Sequence, residues 1–391
     1  MSVDLAEMRS TRRRLVVFAD DWGRHPSSCQ HLVRHLLGEC EVTWVNTIGT
    51  RAPKLDRALL RRSVEKAIHW TGQPKEPAAE RVQSAPRILN PVMYPGFRTS
   101  WQRRLNAALI ARALKRRIQD MREVVVLSAV PIVADLPEHL NVARWVYYCV
   151  DDFSQWPGLD SKPLAEMEQK FIREADRIVA AGDNLAARMR KLGREAHVVS
   201  HGIDPDHWCT SARSSGRLEG IERPIVLFWG LIDRRLDIDY LRALDRHMTS
   251  GTIVLVGPEQ DADPGLKDLS RVKRIGAVPY ESLPALATQA AVLVMPYADL
   301  PVTRVMQPLK LKEYLATGRA VVSSRLPALA GWESCLDVVD SAEQFANCVL
   351  ARVGAGPTLA QMTARRRLRD ETWKAKTQDL ANVLFGASPA E

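Results

Sequence analysis

Aromatic residues make up only 6% of the 391-residue sequence, and its six cysteines include no CxxC pair. Irregular cysteine spacing in so long a chain excludes a disulfide framework and leaves no pair at zinc-ligand spacing, so the thiols are expected to be reduced. Long apolar runs are also missing. The uncharged apolar stretch Val124 to Ala134 is interrupted by Pro131 and falls short of the roughly 20 residues a membrane-spanning helix needs. Behind Thr11-Arg-Arg-Arg14 only Leu15–Ala19 is apolar, too short for the core of a signal peptide. The chain therefore reads as cytoplasmic, with a peripheral position on the inner face of the cytoplasmic membrane left open. No GxGxxG or P-loop follows any expected strand, which argues against a dinucleotide-dependent dehydrogenase. What the sequence does have is a charge surplus of +9, from 55 Lys and Arg against 46 Asp and Glu. Such a surplus suits an anionic partner: phosphorylated ligands, an acidic membrane face or nucleic acid. Nucleic acid is disfavoured, because the basic residues do not interleave with aromatics in a recognisable module.

Short Val/Ile/Leu-rich runs recur along the chain: Leu15–Ala19, Glu41–Asn46, Val124–Val130, Trp145–Val150, Arg177–Ala181, His197–Ser200, Ile225–Trp229, Thr252–Val256, Arg274–Ile275, Ala291–Met295 and Ala320–Ser323. Runs of this kind suit parallel strands buried on both faces. Between them, stretches such as Lys162–Arg173, Asn184–Leu192 and Asp237–Arg246 carry apolar residues at helical spacing. Strand and helix alternate, so the expected class is α/β, with two facing Rossmann-like domains and a cleft between them. The expected boundaries are a first domain over 1–205, a polar linker over 206–224 and a second domain over 225–375.

The most informative stretch is Met306-Gln-Pro-Leu-Lys-Leu-Lys-Glu-Tyr-Leu-Ala-Thr-Gly318, followed by Arg319-Ala-Val-Val-Ser323. Pro308 and Gly318 bracket a helix as N1 residue and C′ cap. Lys310 falls in its first turn, where exposed amides favour an anion and disfavour a cation, so the lysine makes sense if a phosphate sits there. Glu313 shares the face of Lys310, and a carboxylate can accept both hydroxyls of a ribose. A surface helix carrying a Lys–Glu pair is the plain alternative. Asp151 and Asp152 follow the strand Trp145–Val150, at the sheet edge where open α/β folds bind ligands. Adjacent carboxylates repel, which raises one pKa toward that of a general base; capping a turn is the alternative for Asp152. After the first strand, Asp20-Asp21-Trp-Gly-Arg-His25-Pro-Ser27 supplies Asp21, His25 and Ser27 as candidates facing an acceptor, Ser27 doubling as a candidate helix cap.

Arg98–Arg117 holds seven Lys and Arg and no acid. Trp101, Leu105, Ala108, Leu109, Ala113 and Leu114 fall near helical spacing with Arg103 and Arg104 beside them, which reads either as an interfacial helix facing anionic lipid or as an ordinary crossover helix with a solvated basic face. Three Asp-x-Asp tripeptides, Asp204-Pro-Asp206, Asp237-Ile-Asp239 and Asp261-Ala-Asp263, are assigned to loops and a helix start. No metal is expected.

Taken in order, the helix segment with the preceding Phe228-Trp-Gly-Leu-Ile-Asp-Arg-Arg-Leu-Asp237, Val254-Leu-Val-Gly-Pro258, Gly276-Ala-Val-Pro-Tyr280 and Met295-Pro-Tyr297 resembles the donor half of GT-B glycosyltransferases. Tyr148-Cys-Val-Asp-Asp-Phe153, Glu168, Ala175-Asp176 and Ser200-His-Gly-Ile-Asp204 resemble the acceptor half and hinge of the bacterial exopolysaccharide type. The resemblance implies a GT-B fold with a C-terminal helix over 376–391 crossing back to the first domain. It also implies a nucleotide-sugar donor, a glycan or lipid-linked acceptor, and no cofactor. It places Glu313 on the ribose, Lys310, Gly230 and Arg234 at the diphosphate, the loop Gly276–Tyr280 against the base with Val278 offering backbone contacts, and His201 facing the donor. Val305 stands where the glycosyltransferase 4 family has its first glutamate, and Leu236-Asp237 where it has a lysine. The segment is similar instead to the xanthan-type glucuronosyltransferase, which implies Asp151 as base and leaves the anomeric outcome open. A nucleotide-sugar epimerase of the same fold is the alternative.

Overall fold

The computed structural model describes residues 12–23, 27–49, 85–156, 159–209 and 216–387. His25 lies outside them. Two compact units are present. One contains the described residues up to Ala180, then Arg188–Val198 and the chain from Thr377; the other contains Ala181–Ala187 and Val199–Lys376.

The first unit is built on seven strands: β1 (Arg13–Ala19), β2 (Cys40–Asn46), β3 (Arg87–Leu89), β4 (Val124–Ser128), β5 (Arg144–Cys149), β6 (Arg177–Ala180) and β7 (His197–Val198). They pair in the order β3-β2-β1-β4-β5-β6-β7, every pair parallel. The second unit has β8 (Ile225–Trp229), β9 (Thr252–Val256), β10 (Val272–Ile275), β11 (Val292–Met295), β12 (Ala320–Ser324) and β13 (Asp337–Val339). Their order is β10-β9-β8-β11-β12-β13, again parallel. The central strands β4, β8, β11 and β12 are buried along their whole length, because only a sheet covered on both faces can hide an unbroken apolar run. Each order reverses once, beside β1 and beside β8. At such a switch point the loops at the carboxyl ends diverge and leave room for a ligand.

Of the expected linker 206–224, residues 210–215 lie outside the described residues, and the described parts on either side depart from a polar linker. Pro205–Cys209 is helical, and Trp208, Leu218 and Ile221 belong to the core of the second unit. Their apolar side chains are too widely spaced to register as a periodic run. The C-terminal helix Trp373–Phe385 joins the first unit from Thr377 onward. Arg144 and Arg177, at the start of β5 and β6, donate to the carbonyls of Leu384 (2.7 Å), Val383 (2.9 Å) and Ala387 (2.6 Å). Two guanidinium groups thus satisfy the open C-terminal carbonyls and complement the negative end of the helix dipole.

The helix Ser100–Lys115 corrects one expectation. Ala107, Ile110, Ala111 and Leu114 face the core, whereas Trp101 is 55% exposed and Leu105 and Ala108 also face solvent. Arg104 is exposed with them, but Arg103 turns back to Asp135 and Glu166, 3.6 Å from each. Arg103 is therefore a structural ion-pair partner rather than part of an outward face. Among the described residues no helix is long and apolar enough to cross a membrane.

Candidate donor and base sites

In the second unit, β8 ends in Trp229 and the chain then turns at Gly230, whose φ of 140° is one L side chains rarely adopt. The space a Cβ would fill there is taken: that atom would lie 2.1 Å from Nζ of Lys310. The ammonium sits 4.1 Å from the centre of the Phe228 ring and 5.3 Å from that of Tyr297, within cation–π range of both. Lys310 opens the helix Lys310–Ala316. Gly318, at φ 74°, ends it as expected. Pro308 lies two residues ahead of the helix rather than inside it, its carbonyl accepting from the Leu311 amide at 3.2 Å.

The second cation at this turn is Arg235, not Arg234. Arg234 is exposed and pairs with Asp261 at 2.7 Å. Arg235 is buried, its Nε 3.0 Å from both oxygens of Asp233. Burial, then the charge of Arg235, pulls the Lys310 pKa down from 10.5 to about 7, while Glu313 and Asp233 act against the fall. The inner pair, Arg235–Asp233, is local, whereas Arg234 reaches Asp261, 27 residues on, and which of two adjacent arginines faces inward is a matter of backbone phase. The Arg-Arg sequence does not disclose that phase.

Glu313 lies on the same helix face as Lys310. It accepts from Nε1 of Trp229 at 3.3 Å and from the Tyr280 hydroxyl. Burial raises its pKa, and these two donors pull the other way. Trp229 stacks on Trp208 with ring centres 5.4 Å apart, and Tyr280 stacks on His207 at 4.6 Å. Trp229 also packs on Tyr314, whose hydroxyl accepts from the Trp229 amide at 2.9 Å. A carboxylate held by an indole and a phenol within an aromatic wall can accept paired hydroxyls at low solvent competition. Sequence reasoning missed Trp229 and Arg235, and it placed Tyr280 in the loop against the base without its bond to Glu313. Position was the usable signal: Trp229 immediately precedes the glycine turn.

Val278 lies in the loop after β10, partly buried against the core, and it is its neighbour Tyr280 that reaches Glu313. His201 is buried, with Nε2 3.0 Å from the Gln307 carbonyl. That bond ties it to the segment ahead of Pro308. Lys312, two residues from Lys310, has a different role: it is buried and bonded to the His201 carbonyl and to Glu371 at 2.5 Å. The Asp-x-Asp carboxylates are used locally: Asp237 caps a helix through the Asp239 amide (2.9 Å), Asp263 caps a turn through the Gly265 amide (2.8 Å), and Asp204 accepts from the His207 amide (3.3 Å). No cluster of three potential metal ligands forms among the described residues.

In the first unit, Asp151 and Asp152 follow β5 as expected, but their environments differ. Asp152 is buried and saturated, accepting from the Ser154 amide (3.1 Å) and hydroxyl (2.5 Å) and pairing with Arg188 at 3.0 Å. It caps the turn Phe153–Gln155, which removes it as a base. Asp151 stays partly exposed. Ser27 is likewise a cap, its hydroxyl accepting from the Gln30 amide at 3.4 Å as the helix Ser28–Leu36 begins. Asp21 is partly exposed at the end of β1, its carbonyl taking a bond from the Gln30 side chain at 3.3 Å.

Residues 223–355 match the family model described as Glycosyl transferases group 1. That segment is similar to glycosyltransferase group 1 domains. It contains Gly230, Arg235, Lys310 and Glu313. A Bacillus subtilis (strain 168) protein, named as the teichuronic acid biosynthesis glycosyltransferase TuaH, is 28% identical over 177 residues, which cover 43% of this chain and 45% of that protein. The match thus spans less than half the length of that relative. The whole chain superposes on GT-B structures. Sucrose-phosphate synthase from Thermosynechococcus elongatus matches with a TM-score of 0.70 and 17% identity, over 96% of this chain and 100% of that one. Anabaena HepE in complex with UDP and glucose gives a TM-score of 0.63 at 15% identity, with the same coverages. The fold is GT-B: two α/β Rossmann-like domains, each on a parallel sheet. None of these relatives points to the epimerase alternative.

Proposed function

We propose that the protein is a glycosyltransferase that moves a sugar from a nucleoside diphosphate donor to a glycan or lipid-linked acceptor without a metal ion. One observation carries the donor half. Lys310 is enclosed at a glycine notch at the carboxyl end of β8, beside a second buried cation, and makes no ion pair or hydrogen bond among the described residues. Glu313 and Asp233 offset only part of the cost of enclosing this ammonium beside Arg235, a cost that is unfavourable for folding alone, and an arriving diphosphate supplies further negative charge. Arg235 reinforces that charge at the leaving group, and Glu313 accepts the ribose hydroxyls. Asp151 takes the proton from the acceptor hydroxyl. The teichuronic acid relative favours a bacterial surface glycan as the product class.

A thermal-shift panel of UDP-, GDP-, ADP- and TDP-sugars tests the donor half. One nucleotide class is expected to raise the midpoint, and Glu313→Ala is expected to weaken its binding roughly tenfold or more, from the loss of buried hydrogen bonds to the ribose. No shift with any donor contradicts the assignment. A lipid-linked acceptor also calls for a surface that meets a membrane. The outer face of Ser100–Lys115 joins exposed Trp101, Leu105 and Arg104 with Arg112, Lys115 and Arg116, each charge worth about 1 kcal/mol near anionic lipid. Co-sedimentation with phosphatidylglycerol vesicles should occur and be lost in Trp101→Ala/Arg104→Ala. Equal sedimentation with neutral vesicles counts against an electrostatic membrane face.

A further inference from the structure

We propose that Arg188 is the positioning residue of the base site, a single guanidinium that fixes the turn carrying Asp151. This inference rests on Asp151 as the base. Arg188 is bidentate to Glu168, at 2.9 and 2.5 Å, and its Nε also reaches Asp152 at 3.0 Å. Glu168 and Asp152 are 1% and 5% exposed, so both carboxylates need a cation, and one arginine serves the two. The three residues come from different places: Asp152 from the end of β5, Glu168 from the helix Ser161–Glu174, and Arg188 from the helix Asp183–Lys191.

The strand itself completes the bracing. Tyr147 and Cys149 share one face of β5 by the two-residue period. The Tyr147 hydroxyl donates to Glu168 at 2.7 Å. The Cys149 thiol lies 3.9 Å from Glu168 and 3.7 Å from the Asp151 carbonyl. Asp151 in turn accepts the Asp152 amide at 3.2 Å. The Asp151-Asp152 pair is therefore held on three sides, by the thiol on its backbone, by Ser154 and by Arg188. A fold that needed only a buried ion pair would be served by Glu168 and Arg188. The third partner, Asp152, links that pair to the residue next to the base.

The test compares Arg188→Ala, Arg188→Lys and Asp151→Asn, using release of nucleoside diphosphate from the nucleotide sugar that gives the largest thermal shift. Arg188→Ala is expected to lower kcat by roughly 30- to 100-fold, the cost of a base displaced by about 1 Å, with donor Kd unchanged. Arg188→Lys should recover part of kcat, because an ammonium can keep one of the two carboxylates. If Arg188→Ala does not fold, Arg188→Lys and Ser154→Ala carry the comparison, each expected to lower kcat while leaving donor Kd alone. Wild-type kcat in folded Arg188 variants, with Asp151→Asn inactive, overturns the positioning role and leaves the function standing. Wild-type kcat in Asp151→Asn overturns the base assignment and this inference with it.

Discussion

Lys310→Met is expected to make the protein more stable while abolishing donor binding. Most truncations of enclosed side chains lower stability through lost contacts and cavities, so the expected sign is unusual. Burial and Arg235 bring the Lys310 pKa from 10.5 to about 7, and each tenfold change in proton affinity corresponds to about 1.4 kcal/mol. Because the folded pKa lies below the unfolded one, folding is penalised wherever the unfolded chain would hold the proton. The penalty is complete below pH 7, shrinks as pH rises and vanishes above about 10.5. Allowing for the accessible surface Lys310 keeps and for the lost contacts to Phe228 and Tyr297, the net gain on substitution is of order 2 kcal/mol. That raises the unfolding midpoint of a unit this size by roughly 4–8 °C at pH 7. Calorimetric scans at pH 6.5 and 9.5 check it, with the larger gain at the lower pH. A destabilised Lys310→Met protein would mean that the lysine is held by structure and not for a ligand.

Donor binding should weaken as pH rises above 7. A nucleotide sugar is fully ionised throughout the neutral range, so the titrating partner is Lys310. Below about pH 7 the lysine is already charged and affinity should be flat. Above it, binding must first protonate the amine, and Kd should rise about tenfold per pH unit until the raised pKa of the complex is reached. Titrations at pH 6.5, 7.5 and 8.5 measure this, and calorimetry in two buffers of different ionisation enthalpy counts the proton taken up. A flat profile through pH 8.5 contradicts the lowered Lys310 pKa and with it the expected gain in stability of Lys310→Met.

Much of this arrangement was legible in the sequence, for identifiable physical reasons. The central strands announce themselves because a parallel sheet buried on both faces demands unbroken apolar runs. The short edge strands escape notice: Arg87–Leu89 is mostly exposed and only three residues long, so it carries no period. Lys310 and Glu313 could be placed together because helix geometry fixes neighbours three apart, and the glycine turn beside them came from the family resemblance. Contacts made across the sheet were not legible. The Trp229–Glu313 bond joins residues 84 apart in sequence, and no local pattern encodes it. Polar residues such as Ser27 and Asp152 look alike in sequence whether they cap a turn or face a substrate. Arg103 was misplaced for a related reason: helical phase gave its position, but its acidic partners lie on other segments.

The most direct test of the central claim is hydrogen–deuterium exchange with and without saturating nucleotide sugar of the class that shifts the midpoint. Protection is expected in peptides spanning Phe228–Arg235 and Pro308–Leu315, and that protection should be absent in Lys310→Met. Protection confined to other segments, or retained in full by Lys310→Met, would contradict a donor site at the Gly230 turn.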